Sequence, residues 1–291
     1  MNSYILVIFA DILLAMTFVI QKKYQLKVGV SVKSSLVYTV LTGLFSAIIF
    51  LVINGFKVRA TWFSLVMAIA FTIVVTAYTL IGFRIMEKGS MSIYTLFLMS
   101  GGMTVPYIYG VAFLNEELTF IRTLGLLLII TAISVSNFTK RKTDKEQIFL
   151  CIAVFFINGA SSVISKIHQI SPASKMVSSS DFVFLVMTAR TIIGLIPVLL
   201  KKEKEESIKV KSGSLWFLIF LIFLAAAANG VSFMLQLIGA ADLPATVLYP
   251  LVTGGTIILS SFADLLVFKA KLSPKQWVGT GIAFVGTFMF L

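Results

Sequence analysis

The chain of 291 residues is 58% hydrophobic and only 12% charged, with a mean hydropathy of +1.01. A soluble domain carries about 25% charged residues, so the composition excludes an ordinary water-soluble protein. The net charge of +12 is carried mainly by residues that flank apolar runs, where basic side chains set membrane topology. We therefore predict an integral membrane protein surrounded by the lipid bilayer, with no nucleic-acid partner.

Apolar runs divide the chain into ten predicted helices. Crossing a bilayer takes about 20 apolar residues per helix, and runs this long satisfy their backbone in lipid as helices, so we predict an all-α fold. The helices lie near 3–21, 35–54, 61–85, 91–113, 120–138, 148–168, 181–200, 214–238, 245–268 and 274–290. The basic segment TKRKTDKEQ follows the fifth helix. We predict a five-helix unit at 1–138, a basic linker at 139–147 and a second unit at 148–291.

The two units are predicted to be copies of one another. In the alignment of the two units, Ser100-Gly101-Gly102 corresponds to Thr253-Gly254-Gly255. After one inserted residue, Leu118-Thr119 corresponds to Leu272-Ser273, and Gly125 corresponds to Gly279. The hydroxyl residue of each turn can cap the helix that follows. Because five is an odd number, successive copies enter the membrane from opposite sides, which predicts two inverted five-helix repeats.

Two charged residues, Asp11 and Arg190, fall well inside apolar runs rather than near helix ends. A charge at mid-membrane costs about 2.5–3.5 kcal/mol on insertion scales, and such a residue is functional by default. Asp11 lies in the middle of helix one. One interpretation is a carboxyl that couples transport to protons, because burial favours the neutral form of an acid. The other is a solvated carboxylate at the membrane interface or in a lumen. Arg190 in helix seven pairs either with a carboxylate of a substrate or with a structural partner across helices. Lys166 and His168, near the end of helix six, are predicted to snorkel.

Polar residues form two stripes at helical spacing. A lipid-facing amide is unfavourable, so each stripe either bonds neighbouring helices or lines a cavity. Three tyrosines either stack on a ring or cation of a bound molecule or belong to the aromatic belt at the headgroups. The candidate cavity residues are Asp11 on helix one, Asn158, Ser161, Ser162 and Ser165 on helix six, Asn229, Ser232 and Gln236 on helix eight, and Tyr78, Tyr94 and Tyr249 on helices three, four and nine.

Three prolines, Pro106, Pro197 and Pro250, also lie inside or near the start of apolar runs. A proline inside a membrane helix frees a carbonyl that needs another partner, so it marks either a kink beside a cavity or a tolerated packing kink. The sequence holds no GxxxxGK[ST] loop, HExxH, GxSxG or Cys/His cluster, so an ATP-driven pump, an enzyme, a cofactor and a metal site are not expected. The single cysteine, Cys151, leaves no intrachain disulfide.

The residues around the first turn resemble a known family. Pro106 followed by LNEELTFIRTLGLLLIITAI is similar to the ten-helix EamA-like members of the drug/metabolite transporter superfamily, whose turn reads G-E-R/K-L. Asn115 takes the place of the glycine, and the second turn, FKAKL at 268–272, has no acid. INGASSVISK at 157–166 resembles the helix-six segment of the family, and Ala189-Arg190 resembles the start of its helix seven.

The resemblance implies a secondary transporter in the cell membrane that moves a small organic metabolite or drug, more often by efflux than by uptake. It implies a cavity lined by helices one, three, four, six, eight and nine that opens alternately to each side. Asp11 lies one turn from Leu14, which aligns with the proton-binding glutamate of the small multidrug branch. Helix seven is peripheral in the family, which favours the structural role for Arg190. The oligomeric state is left open between monomer and homodimer.

A different class remains open from the sequence, a non-transporting lipid-binding or scaffolding subunit of the membrane. It predicts that the polar stripes of helices six and eight bond each other and leave no water-filled centre.

Overall fold

The structure is a computed structural model that describes residues 3–29, 32–88, 91–137, 145–200, 215–269 and 272–291. These residues form ten α-helices and no strand. The helices are α1 (Ser3–Val28), α2 (Val32–Ile53), α3 (Trp62–Lys88), α4 (Met91–Phe113), α5 (Phe120–Asn137), α6 (Lys145–Ile170), α7 (Ser179–Leu200), α8 (Leu215–Asp242), α9 (Ala245–Val267) and α10 (Pro274–Phe288). Most bounds agree with the predicted ones within a few residues.

The largest difference is the end of α1, which runs to Val28 rather than to residue 21. Lysines at 22, 23 and 27 suggest a loop, but the segment has one apolar face. Tyr24 is buried and its ring lies 4.9 Å from that of Tyr38. The ammonium of Lys27 lies 4.1 Å from the centre of the Phe217 ring. Both contacts hold the extra turns against α2 and α8. Of the predicted linker, residues 139–144 lie outside the described part, and 145–147 belong to α6.

Eight of the helices are long and apolar enough to cross a membrane, and many large apolar side chains point outward. Trp216 and Phe220, for example, are 80% and 58% exposed. A water-soluble protein rarely exposes large contiguous apolar patches, whereas lipid-facing helices do so along their length. The chain is therefore a multi-pass membrane protein.

Helices from the two halves of the chain pack against each other throughout. α1 packs against α8 and α9, α6 packs against α3 and α4, and the pairs α2–α7, α4–α9 and α5–α10 also join the halves. Glycines allow some of these close approaches: a Cβ at Gly101 would collide with the backbone of Phe155 in α6, and one at Gly255 would collide with the carboxylate of Asp11 in α1. The halves are thus one interleaved body.

The turns before α5 and α10 have the predicted caps. Thr119 Oγ1 accepts a hydrogen bond from the amide of Arg122. Ser273 Oγ accepts one from the amide of Gln276, whose side chain in turn accepts from the amide of Ser273, which is a capping box. Each cap uses one of the backbone N–H groups that a helix start leaves free.

These two turns also share a backbone conformation. Asn115 has φ 53° and Lys269 has φ 50°, in the left-handed region that side chains other than glycine rarely adopt. Asn is the residue that tolerates this region best after glycine, which explains how Asn115 replaces the glycine of the related turn.

Candidate functional site

The centre of the helix bundle holds a cavity of about 360 Å³. Its volume lies within the range of about 300–1,000 Å³ that is typical of small-molecule pockets. Residues of α1, α3, α4, α6, α7, α8 and α9 line it. These are the six helices that the resemblance implies, with α7 in addition. The expectation that α7 stays away from the cavity is therefore wrong, because α7 packs against α3 and α8 and exposes one face between them.

The polar stripe on α6 faces α4 and the cavity. Asn158 Nδ2 donates to the carbonyl of Leu98 at 2.7 Å, and Ser162 Oγ donates to the carbonyl of Gly102 at 3.1 Å. Gly102 lies four residues before Pro106, which has no N–H to offer this carbonyl. Ser162 thus supplies the partner that the proline removes, at a position that lines the cavity.

The polar stripe on α8 faces α1 and the same cavity. Ser232 Oγ donates to the carbonyl of Ala10 at 2.7 Å, and Gln236 Nε2 donates to Ser232 Oγ at 3.1 Å. Asn229 lines the cavity, and its amide has no hydrogen bond within the described residues. The stripes on α6 and α8 make no hydrogen bond to each other in the parts of the chain that the structure describes; their polar groups bond their own or other helices, or face the cavity.

Tyrosines from two helices reach the cavity. Tyr78 of α3 and Tyr249 of α9 line it, and the Tyr249 hydroxyl donates to the carbonyl of Ser162 at 2.6 Å. Tyr94 does not line it: this ring packs against Gly82 of α3, in an apolar cluster that includes Cys151. Tyr94 therefore packs α4 against α3 beside the cavity.

Asp11 lies outside the lining of the cavity and away from water. It is 2% exposed, and its carboxylate lies against Gly255 of α9. Its Oδ1 atom is buried without a hydrogen-bond partner among the described residues. The interpretation of Asp11 as a solvated carboxylate is therefore wrong, because α8 and α9 close over this face of α1.

Arg190 lies halfway along α7 and lines the cavity. Its Nε atom is buried without a hydrogen-bond partner, and the side chain makes no ion pair with any residue that the structure describes. The partner that a structural role requires across helices is thus not found within the described residues.

Two charged residues, Lys166 of α6 and Glu116 of the turn before α5, are bonded to the turn between α8 and α9. We call the membrane side that holds Ser3 the terminal side and the opposite side the basic side. On the terminal side, the ammonium of Lys166 donates to the carbonyls of Ala240 and Leu243 at 2.8 and 2.7 Å. The carboxylate of Glu116 accepts from the amides of Ala245 and Thr246, both at 2.7 Å.

The expected snorkelling of Lys166 and His168 is wrong. Lys166 is 4% exposed and His168 is fully buried. The His168 ring stacks between Phe63 and Phe182 and is hydrogen-bonded to Ser64 Oγ at 2.9 Å. Neighbouring helices cover this end of α6, so its side chains find protein partners instead of water.

One sequence signal points to Lys166 in retrospect. The segment VIQKKYQL at 19–26 resembles VISKIHQI at 163–170, and this similarity aligns Lys166 with Lys22. Lys22 forms an ion pair with Asp264 of α9 at 2.6 Å, with both side chains about two-fifths exposed. Lys22 and Lys166 thus bond to other helices on opposite sides of the bundle.

Comparisons with known proteins agree with this architecture. A crystal structure with 16% sequence identity superposes with a TM-score of 0.77, covering 99% of this chain and 96% of that one; identity this low shows the fold alone. A search of curated proteins found no match. The model of the EamA-like transporter family matches residues 146–291, half of the chain. The chain therefore belongs to the EamA-like transporter family, within the drug/metabolite transporter superfamily.

Proposed function

We propose that this protein is a secondary transporter that moves a small organic molecule across the cell membrane by alternating access. The observation that carries the proposal is the central cavity, which is lined by helices of both halves and by the polar faces of α6 and α8. Polar groups that face a cavity at membrane depth typically mark a substrate pathway. The resemblance favours export.

The inverted repeat is part of this proposal, and the contact between α5 and α10 supports it. A Cβ at Gly125 would lie 2.9 Å from the carbonyl oxygen of Gly286, and a Cβ at Gly279 would lie 2.8 Å from that of Ala132. In the ungapped alignment of α5 with α10 that pairs Gly125 with Gly279, Ala132 is paired with Gly286. The two contacts are therefore equivalent, because each becomes the other when α5 and α10 are exchanged.

The geometry of this pair indicates the direction of the symmetry axis. The start of α5 meets the end of α10, so the helices are antiparallel. An axis that exchanges two antiparallel membrane helices lies in the plane of the bilayer, as an inverted repeat requires. The α2–α7 pair repeats the pattern: Gly43 meets Thr191, and Gly194 meets Val40, again at one register shift. The family match, which begins at residue 146, agrees with a second unit near the predicted start.

A departure from this symmetry suggests where the cavity opens. α6 packs against α8, and α7 also contacts α8, whereas the corresponding pairs α1–α3 and α2–α3 are hardly in contact within the described residues. The bonds of Lys166 and Glu116 hold helix ends together on the terminal side, and the looser packing of α1 and α2 against α3 favours an opening of the cavity beside α3.

Proton coupling through Asp11 is the second part of the proposal. A carboxyl buried without partners for its charged form favours the neutral form. Asp11 therefore holds a proton when α8 and α9 cover it, and releases the proton when a change of state admits water. Its contact with Gly255 links that change to α9, a helix that also lines the cavity.

The experiment uses purified protein in liposomes and a panel of amino acids, sugars and drug-like compounds. Uptake and efflux are measured with and without a pH gradient for wild type, for Asp11→Asn and for Asp264→Asn as a control at a partly exposed carboxylate. We expect wild type and the control to concentrate a substrate on the gradient, and Asp11→Asn to exchange substrate without concentrating it. Concentration by Asp11→Asn would refute the coupling role. Movement of no compound by wild type would favour the lipid-binding or scaffolding alternative.

A further inference from the structure

Several donor groups in the cavity have no partner within the described residues. Other polar side chains that line the cavity are bonded to neighbouring carbonyls, as Ser162 and Tyr249 are. The guanidinium of Arg190, the hydroxyl of Tyr78 and the amide of Asn229 line the same cavity without such a bond, and so does the hydroxyl of Thr256. A buried donor without a partner costs about 1–3 kcal/mol, so these groups are arranged for a ligand or for water.

The described residues that line the cavity carry charge of one sign only, and it is positive. Arg190 is the only ionised side chain among the described residues that line it, and no lining residue is acidic. The buried carboxyl of Asp11 is not among them and lies against α9 instead. A guanidinium remains charged at all physiological pH values, and an isolated charge at mid-membrane is unfavourable. The protein thus leaves one positive charge that a bound anion would neutralise.

The remainder of the lining is apolar and aromatic. Phe71 of α3 and Phe233 of α8 stack with their ring centres 5.2 Å apart, and Phe18 of α1 lines the cavity with them. Such a wall removes an apolar group from water, which favours binding by about 25 cal/mol per Å² of apolar surface. An inorganic anion would leave this surface unused.

We propose that the cavity binds small organic anions, with a carboxylate on Arg190, Tyr78 and Asn229 and an apolar or aromatic body against the phenylalanines. A planar guanidinium matches a carboxylate in a two-pronged geometry, and the phenol and amide supply further donors at a similar depth of the membrane. This inference rests on the proposed function, which it deepens by naming the class of substrate.

The test uses compounds that differ only in the charged group. The probes are phenylacetate, phenylacetamide and phenethylammonium, with hexanoate, hexanamide and hexylammonium as an aliphatic series, and with chloride and inorganic phosphate. Binding to the full chain in detergent is measured by calorimetry, and movement of the same compounds is measured in liposomes. We expect the carboxylates to bind, and the amides and ammonium ions to bind at least about 10-fold more weakly, because a hydrogen bond to a charged group is worth about 1.5–3 kcal/mol.

Variants then assign the effect to the site. Arg190→Gln should weaken carboxylate binding by about 10- to 100-fold and leave amide binding unchanged, and Tyr78→Phe should weaken it by about 10-fold. Arg59→Gln, in an exposed loop, is the matched control and should bind as wild type does. If Arg190→Gln does not fold, Tyr78→Phe provides the comparison, since it removes a donor and keeps the ring. Arg190→Lys then serves as a second variant: it keeps the charge but loses the planar fork of the guanidinium, so carboxylates should still bind, more weakly than to wild type.

The outcomes separate this inference from the proposed function. Transport of amides or ammonium ions without binding of any carboxylate would overturn the anion site and leave the transporter intact. Carboxylate binding that depends on Arg190, without movement across liposomes, would uphold the anion site and refute the transporter. Binding of chloride or phosphate alone, or carboxylate binding that Arg190→Gln leaves unchanged, would also overturn the inference.

Discussion

Glu116→Gln should loosen the start of α9 and lower the stability of the whole protein. The Glu116 carboxylate accepts from two consecutive backbone amides, those of Ala245 and Thr246, at 2.7 Å each. Glutamine keeps one acceptor oxygen and presents its NH₂ group to the other amide. The variant therefore loses one charge-assisted hydrogen bond, worth about 1.5–3 kcal/mol. It also loses the attraction of an anion to a helix N-terminus, worth about 0.3–1 kcal/mol. We expect the free energy of unfolding to fall by about 2–4 kcal/mol in total.

The assay is thermal denaturation of detergent-solubilised protein, followed by the loss of monodisperse material. At roughly 2 °C per kcal/mol for a chain of this size, the apparent Tm of Glu116→Gln should fall by about 4–8 °C. Glu117→Gln is the matched control, because Glu117 is the adjacent residue of the same turn and is exposed; its Tm should change by less than about 1 °C. Equal Tm values for the two variants would refute the capping role of Glu116.

Two further changes test the turns on opposite sides of the membrane. Lys166→Met removes the donor from two carbonyls of the α8–α9 turn. We expect the free energy of unfolding to fall by about 2 kcal/mol, after allowing for the buried charge that is also removed. Lys175→Met, in an exposed loop, is the control and should leave the Tm unchanged. Lys269→Gly relieves the strain of a left-handed backbone conformation. The free energy of unfolding should therefore rise by about 1 kcal/mol, and the Tm should rise with it. Asn115→Gly should gain less, because Asn tolerates that conformation. A fall in Tm for Lys269→Gly would contradict the assignment of strain to this turn.

Local sequence determined the helices and several of their ends. Runs of about 20 apolar residues have no alternative in lipid to a helix that satisfies its own backbone, so the ten segments were predictable. The caps at Thr119 and Ser273 were predictable for a similar reason, since a helix start needs an acceptor for its free amides within a few residues.

The end of α1 was less predictable, because lysines near a helix end are compatible with both a helix and a loop. What extended the helix was the contact of Tyr24 with Tyr38 and of Lys27 with Phe217, and both partners lie on other helices. The same limit applied to Tyr94. Its place along α4 was clear from the sequence, but its neighbour Gly82 on α3 decided that it packs beside the cavity.

The sequence by itself determined that this is a membrane protein of apolar helices, with capped turns before α5 and α10 and polar faces on α6 and α8. Only the tertiary structure decided which charges those helices bury. Lys166 is buried because the α8–α9 turn brings two carbonyls within reach of it, and Arg190 lines the cavity because α7 presents that face between α3 and α8. The physical reason is that helix periodicity fixes which residues share a face, whereas the packing of neighbouring helices fixes what that face meets.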